Sequence, residues 1–228
     1  VPKKIRRAEP QPYHHGDLRR ALIDTALQLV TEEQSWTFSL REVARRAGVS
    51  HHAPYNHFPE KRDLLAAVAA VGFDRLRDGM LRAMVGIDGS EALVVAICRT
   101  YMRLGLENPA LYRLMFGPAL SETGSVDRPA VARSAGDQAR AVLEETILRG
   151  ARSGIFIASA DNPQDVPLTA ISVWSAVHGL TMLLIDKIPK AELPVAEMME
   201  RVLRMIVAGL RQPDAEPSRS AARRERRR

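Results

Sequence analysis

The sequence predicts an all-α protein, and three observations carry that expectation. Apolar residues recur with a helical period, as in Leu40, Val43, Ala44 and Ala47 at i, i+3, i+4 and i+7. The composition favours Ala, Leu, Arg and Val and holds only 5% aromatics, which suits helix better than strand. No stretch alternates with period two, so no sheet is expected, and no internal repeat is visible.

At 228 residues the chain can bury a substantial core. Residues 1–15 are basic and rich in proline, and they read as a flexible arm. A helix follows, capped at Asp17 and running to about 33, with Leu18, Leu22, Ala26 and Leu29 on one face. After a short link through Trp36 and Phe38 comes SLREVARRAGVSHHAPYNHF, residues 39–58. Ser39 and Glu42 form a capping box, each side chain satisfying a backbone N–H of the other. Gly48 ends that helix, where a residue at positive φ is needed and glycine has no Cβ to clash. Ser50 then caps a second helix from His51, with Val49 packed between the two. Helix, three-residue turn, helix is the arrangement of a helix-turn-helix. Pro54 is tolerable in the first turn of the second helix because only an early N–H is lost. Lys61 or Asp63 opens a long helix to about 85, and further helices are expected near 90–106, 109–116, 128–153, 166–187 and 194–211.

Charge separates the ends from the middle. Residues 1–62 carry 11 Lys/Arg against 7 Asp/Glu, 212–228 carry 6 against 3, and 63–211 carry 16 against 17. A basic N-terminal unit on a near-neutral body points to a polyanion gripped by one part only. The tail 212–228 reads as solubilising disorder. One cysteine, Cys98, rules out an internal disulfide and fits a reducing, cytoplasmic setting; the N-terminus lacks the apolar run of a signal peptide.

The histidines raise the question of chemistry. His51 and His52 point about 100° apart on a helix, and His52 and His57 are five apart, so neither pair makes a metal site and no carboxylate completes one. No nucleophile motif or phosphate-binding glycine loop is present, and no cofactor is expected. Duplex DNA uses the same residues better. The second helix would set His51, His52, Ala53 and Asn56 against base edges, while Ser39, Arg46, Ser50, Tyr55, His57 and Lys61 hold phosphates or flank the contact.

Residues 17–65 resemble the DNA-binding domain of the tetracycline-repressor (TetR) family of bacterial transcription regulators. The resemblance rests on Ala26, Leu29, Ser39, Leu40, Val43 and Ala44, on Ala47-Gly48-Val49-Ser50, and on Tyr55, His57, Phe58, Lys61, Leu64 and Leu65 in register. His52 and Pro54 depart from the commoner small residue and Leu at those positions. Trp174-Ser-Ala-Val-His178-Gly179 is similar to a Trp-x-x-x-His-Gly motif of one subgroup. The resemblance implies a three-helix helix-turn-helix domain (16–76) and a helical ligand-binding and dimerisation domain (77–211). It also implies a homodimer on a pseudo-palindromic operator, released when a small effector moves residues 63–85.

One feature of the C-terminal part stands without that resemblance. Residues 166–185 lack any charged side chain, so that helix must be covered on all sides. Asp165 and Asp186 bracket it, no aromatic belt flanks it, and Pro, Ser and His dilute it, so a second subunit is expected there rather than a membrane, with 194–211 as the other half of the interface. For the effector pocket that the resemblance implies, Met80, Met84, Tyr101, Met102, Leu114 and Met115, with Phe116, Trp174, His178 and Met182, are the candidate residues, since methionines and aromatics suit an adaptable cavity, with plain core packing as the alternative for each. The rival from another class is a helical carrier or enzyme that uses residues 39–58 only as scaffold.

Overall fold

The computed structural model describes residues 15–120, 129–189 and 192–213. The expected arm, apart from its last residue, and most of the basic tail lie outside the described residues. Eight α-helices are found among them: α1 (His15–Glu33), α2 (Leu40–Arg46), α3 (Lys61–Met84), α4 (Ser90–Glu107), α5 (Pro109–Phe116), α6 (Ala130–Arg152), α7 (Asp165–Ile185) and α8 (Val195–Leu210). Short 3-10 turns cover Ala53–Asn56 and Pro118–Leu120. No named strand occurs among the described residues. A single antiparallel bridge, Phe156 to Arg211, ties the α6–α7 link to the end of α8.

Helix α1 begins at His15, upstream of the Asp17 cap expected from the sequence. Leu22, Ala26 and Leu29 of its apolar face are wholly buried. Ser39 caps α2, its Oγ accepting from the Glu42 N–H at 3.1 Å. Only half of the expected capping box forms, because the Glu42 carboxylate takes the Arg45 guanidinium at 2.6 Å instead. That pair holds the carboxyl of Glu42 below its ordinary pKa. The end of α2 is a paired-bond cap: Val49 N–H reaches the Ala44 carbonyl at 3.0 Å and Gly48 N–H the Arg45 carbonyl at 3.2 Å. Gly48 itself sits at φ +71°, as the sequence requires.

The second element of the motif differs from expectation. It is a four-residue 3-10 turn starting at Ala53, not an α-helix capped by Ser50. Proline explains this. Pro54 has no N–H to give the Ser50 carbonyl, which accepts instead from Ala53, three residues on, at 3.0 Å. Phe58, buried, closes the turn. Helix α3 is then capped from Glu60, whose N–H is accepted by the Asp63 carboxylate at 2.9 Å, so neither Lys61 nor Asp63 is the cap residue itself.

Every residue of α3 from 64 to 70 is buried. Four of those seven are alanines, which let neighbouring helices approach its backbone closely. Helix α1 packs on the N-terminal part, while α4, α5 and α6 surround the rest. Close approach elsewhere depends on glycine. A Cβ on Gly105 would lie 2.5 Å from the Thr181 side chain on α7 and 2.9 Å from the Tyr112 ring on α5. Gly136, on α6, would bring its Cβ only to 3.5 Å from Phe73. Gly105→Ala should therefore lower the melting temperature by several degrees, since overpacking a core costs about 1–3 kcal/mol. Gly136→Ala should hold or raise it, because helix-interior glycine is disfavoured by about 1 kcal/mol. Thermal unfolding followed by circular dichroism checks both.

Candidate DNA-reading face and effector cavity

The helix-turn-helix folds around apolar anchors that leave its polar residues outside. Val43, Ala44, Pro54 and Phe58 turn inward, while Ser39, Arg46, Ser50, His51, His52, Tyr55 and Asn56 are exposed. Ala53, His57 and Lys61 are half-buried on the same unit. The His51 and His52 rings stand 6.4 Å apart and tilted by 55°, presenting separate edges and no common ligand point. Among the described residues no cluster of His, Cys, Asp and Glu could hold a metal ion.

Two of the cations are already engaged. Arg46 forms an ion pair with Glu32 at the end of α1. The Lys61 ammonium lies 5.3 Å from the centre of the Phe38 ring, and burial lowers its pKa. This stacking places Lys61 beside Ser39 at the start of α2, a proximity that 22 residues of separation do not reveal. Arg19 sits over the Phe58 ring at 5.3 Å, and Arg41 is exposed on the first turn of α2. Neither was singled out from the sequence; for Arg41 the available signal was its place beside the capping serine.

A cavity of about 540 Å³ lies between α3, α4, α6 and α7. Of the candidate residues, Met80, Tyr101, Phe116, Trp174 and His178 line it. Met84, Met102, Met115 and Met182 do not. Met102, Leu114 and Met115 are fully buried packing residues, and Met115 fills the space a Cβ on Gly72 would occupy. The sequence reading overlooked α6, which supplies Ala132, Arg133, Gly136, Asp137, Ala139 and Arg140 to the wall. Small and charged residues at i, i+4 and i+7 gave no apolar signal, although their common spacing was legible.

The aromatic end of the cavity is a hydrogen-bonded cluster. Trp174 Nε1–H donates to Tyr101 Oη at 2.8 Å, and the Tyr112 hydroxyl donates to the same oxygen at 2.8 Å. With both acceptor sites of Tyr101 taken, its own proton goes to His178 Nδ1, 2.9 Å away. Tyr112 Oη lies 2.7 Å from the same Nδ1, and its ring stacks on the imidazole with centres 5.5 Å apart. Burial raises the pKa of both tyrosines, so the hydroxyls stay protonated. Trp174 and His178, four apart on one face of α7, are thus bonded by the same tyrosine of α4.

The tetR family of bacterial regulatory proteins matches residues 22–68, and the tetracyclin repressor-like C-terminal domain matches residues 94–206. An uncharacterized HTH-type transcriptional regulator of Haemophilus influenzae is 33% identical over 117 residues, half of this chain and 56% of that protein. The HTH-type transcriptional regulator BetI of Rhizobium meliloti is 32% identical over 85 residues, 37% of this chain and 42% of that protein. The chain thus spans about half the length of these curated relatives. Among solved structures, a protein of unknown function from Rhodococcus sp. RHA1 superposes with a TM-score of 0.74 at 29% identity, over 89% of this chain and all of that one.

Two outcomes follow from the cavity wall. Tyr101→Phe leaves Trp174 Nε1–H without its acceptor, while the Tyr112 hydroxyl can turn to His178 Nδ1 at 2.7 Å, so stability should fall by about 1–3 kcal/mol. Denaturant titration with tryptophan fluorescence measures it. The Cys98 thiol, pushed up to about 12 by burial, should stay unreactive to a disulfide reagent at pH 8 until the chain is unfolded. Because the folded thiol holds its proton longer than the unfolded one, its contribution to stability is intact below about pH 9 and is lost between pH 9 and 12.

Proposed function

The chain belongs to the tetR family of bacterial regulatory proteins, helix-turn-helix DNA-binding transcription regulators and not enzymes, and on that premise we propose a ligand-responsive homodimeric repressor. The observation that carries this reading is one helix with two tasks. Helix α3 starts at Lys61, on the DNA-reading unit, and its Phe73, Leu76 and Met80 line the cavity. A molecule seated there bears directly on the rod that positions the reading unit. Binding energy that differs between two placements of α3 is what shifts DNA affinity.

The homodimer is supported by the outer face of α7. By length and composition this helix could cross a membrane, yet only 22% of its most apolar stretch is buried. Leu168, Ile171 and Leu183 are 59%, 49% and 46% exposed, and Met205 on α8 is 67% exposed. Ala176 and Gly179 interrupt the same face with small side chains, as close helix crossing needs. Among the described residues, seven of the twelve large exposed apolar side chains fall on α7, α8 and the link between them. An apolar surface gathered on two adjacent helices and attached to a basic reading unit suits a second copy better than lipid. A two-fold dimer then sets two reading turns on successive major-groove faces, about 34 Å apart or a multiple of that.

His51, His52, Ala53 and Asn56 are assigned to base edges, with Ser39, Arg46, Ser50, Tyr55, His57 and Lys61 as positioning contacts. Effector release and a repressing sign complete the reading, with a cytoplasmic site of action. Fluorescence anisotropy with labelled duplexes tests the assignment. Lys61→Gln should weaken binding to all sequences alike and reduce the salt slope by about 1. Asn56→Ala should relax preference at one base pair by about 1–3 kcal/mol. An unchanged salt slope together with unchanged preference would reject this docking. Leu168→Glu with Leu183→Glu, both exposed in the protomer, should leave the fold intact and yield monomers in analytical ultracentrifugation. A dimer that survives both changes would place the interface elsewhere.

A further inference from the structure

We propose that a second copy of the chain completes the effector cavity: α7 of one protomer crosses α7 of the other at Gly179 and lays the partner's Leu183 over the cavity mouth at Ser175. Effector binding and pairing of the copies then strengthen each other. The proposal rests on the homodimeric, ligand-responsive reading of the chain and adds the residue that links its two parts.

Glycine inside a helix is disfavoured by about 1 kcal/mol against alanine, so each one asks for a reason. Gly105 and Gly150 have theirs within the protomer, where a Cβ would run into Thr181 and into the Phe156 ring. Gly179, within α7, has none: a Cβ on it would meet nothing within 4 Å among the described residues. Gly209 on α8 is open in the same way. The surface around Gly179 is suited to burial. No charged side chain occurs between Asp165 and Asp186. The two exposed serines of α7 turn their hydroxyl protons into their own helix, Ser172 to the Leu168 carbonyl at 2.9 Å and Ser175 to the Ile171 carbonyl at 2.7 Å. A glycine open to the outside, among apolar and self-satisfied neighbours, fits a helix backbone arriving from another molecule. A second copy brings the same uncharged face.

The mouth of the cavity lies on the edge of this face. Of the α7 residues that line the cavity, Ile171 and Ser175 are exposed. Ser175 stands one turn before Gly179 and Leu183 one turn after it, so the three share a stripe of the helix. A two-fold antiparallel crossing at Gly179 brings the residue four places before it in one copy to the residue four places after it in the other. Ser175 then meets the partner's Leu183, and the same contact repeats across the axis. Sizes match in that arrangement, a large side chain entering the space beside a small one. A parallel crossing would set Leu183 against the partner's Leu183 and leave two serines facing each other across a gap. The antiparallel partner thus lends an apolar side chain to a mouth whose walls belong to one protomer. A seated ligand loses more water-exposed surface in the dimer than in the protomer, and that difference is the coupling.

The test uses the full chain with Ser175→Cys and Leu183→Cys, singly and together, oxidised with copper phenanthroline and run on non-reducing gels. Along one helix the two positions are about 12 Å apart, too far for a disulfide, so a bridge joins two copies. The double variant should give a covalent dimer, while each single variant and the parent chain, with its buried Cys98, should not. A bridge in Leu183→Cys alone marks a parallel crossing and overturns the proposal. No bridge in a chain that sediments as a dimer overturns it too and leaves the homodimer standing, whereas a parent chain that sediments as a monomer overturns the homodimer itself. The coupling is read with N-phenyl-1-naphthylamine, an uncharged probe that fluoresces in apolar sites. It should leave Leu183→Ala about tenfold faster than the parent chain, and saturating probe should tighten the parent dimer about tenfold for each cavity. Equal release rates overturn closure by the partner. Ala139→Leu, or Ala139→Val as the milder change, fills the cavity from α6 and should abolish the fluorescence gain in a chain shown folded by circular dichroism. A gain that persists there, or none in the parent chain, overturns the cavity as the effector site, separately from its closure.

Discussion

The structure depends on the complete enclosure of α3. A helix buried on every side over seven consecutive residues cannot shift without repacking all of its neighbours. Its alanines make that enclosure possible, because small side chains let α1, α5 and α6 settle against the backbone at once. The reading unit and the regulatory unit therefore share a core and are not joined by a tether. Packed interiors respond to a push by switching between discrete arrangements, which is the behaviour that a ligand-controlled regulator requires.

A second tie reinforces the first. Helix α5 ends at Phe116 in the cavity wall, and the turn after it carries the fully buried Leu120, whose carbonyl accepts from Arg62 Nε at 3.0 Å. Arg62 is the neighbour of Lys61. Pocket and reading unit are thus connected along α3 and again through α5, with the Phe73–Phe116 contact bridging the two routes. The buried side-chain nitrogens and oxygens of the aromatic cluster behind it all have hydrogen-bond partners.

The surface divides in a matching way. Hydrogen-bonding groups gather on the turn of residues 50–57, and exposed apolar area gathers on α7 and α8, at the other end of the chain. Side chains on α7 alternate between the two duties. Trp174 and His178 face the cavity, while Leu168, Ala176 and Leu183 face outward. Ile171 and Ser175 touch the cavity and are also exposed, so the cavity borders the face assigned to the partner.

Much of the fold was legible in the amino-acid order because helices are local objects. Periodic apolar residues, a capping Ser39 and a left-handed Gly48 specify an element and its end from within a few positions. The same locality made the Trp174–His178 pair visible as one face. Tertiary structure decided the rest. Whether a buried methionine lines a cavity or fills a core depends on what stands opposite it, which separated Met80 from Met102 and Met115. Helix α6 went unread as a cavity wall because its small and charged residues carry no strong apolar signature, and only the elements packed opposite make them one side of a cavity. Pro54 was visible but its outcome was not. The missing N–H could be read from the sequence, and the resort to 3-10 bonding emerged only once Phe58 was anchored in the core and the turn had to close in four residues.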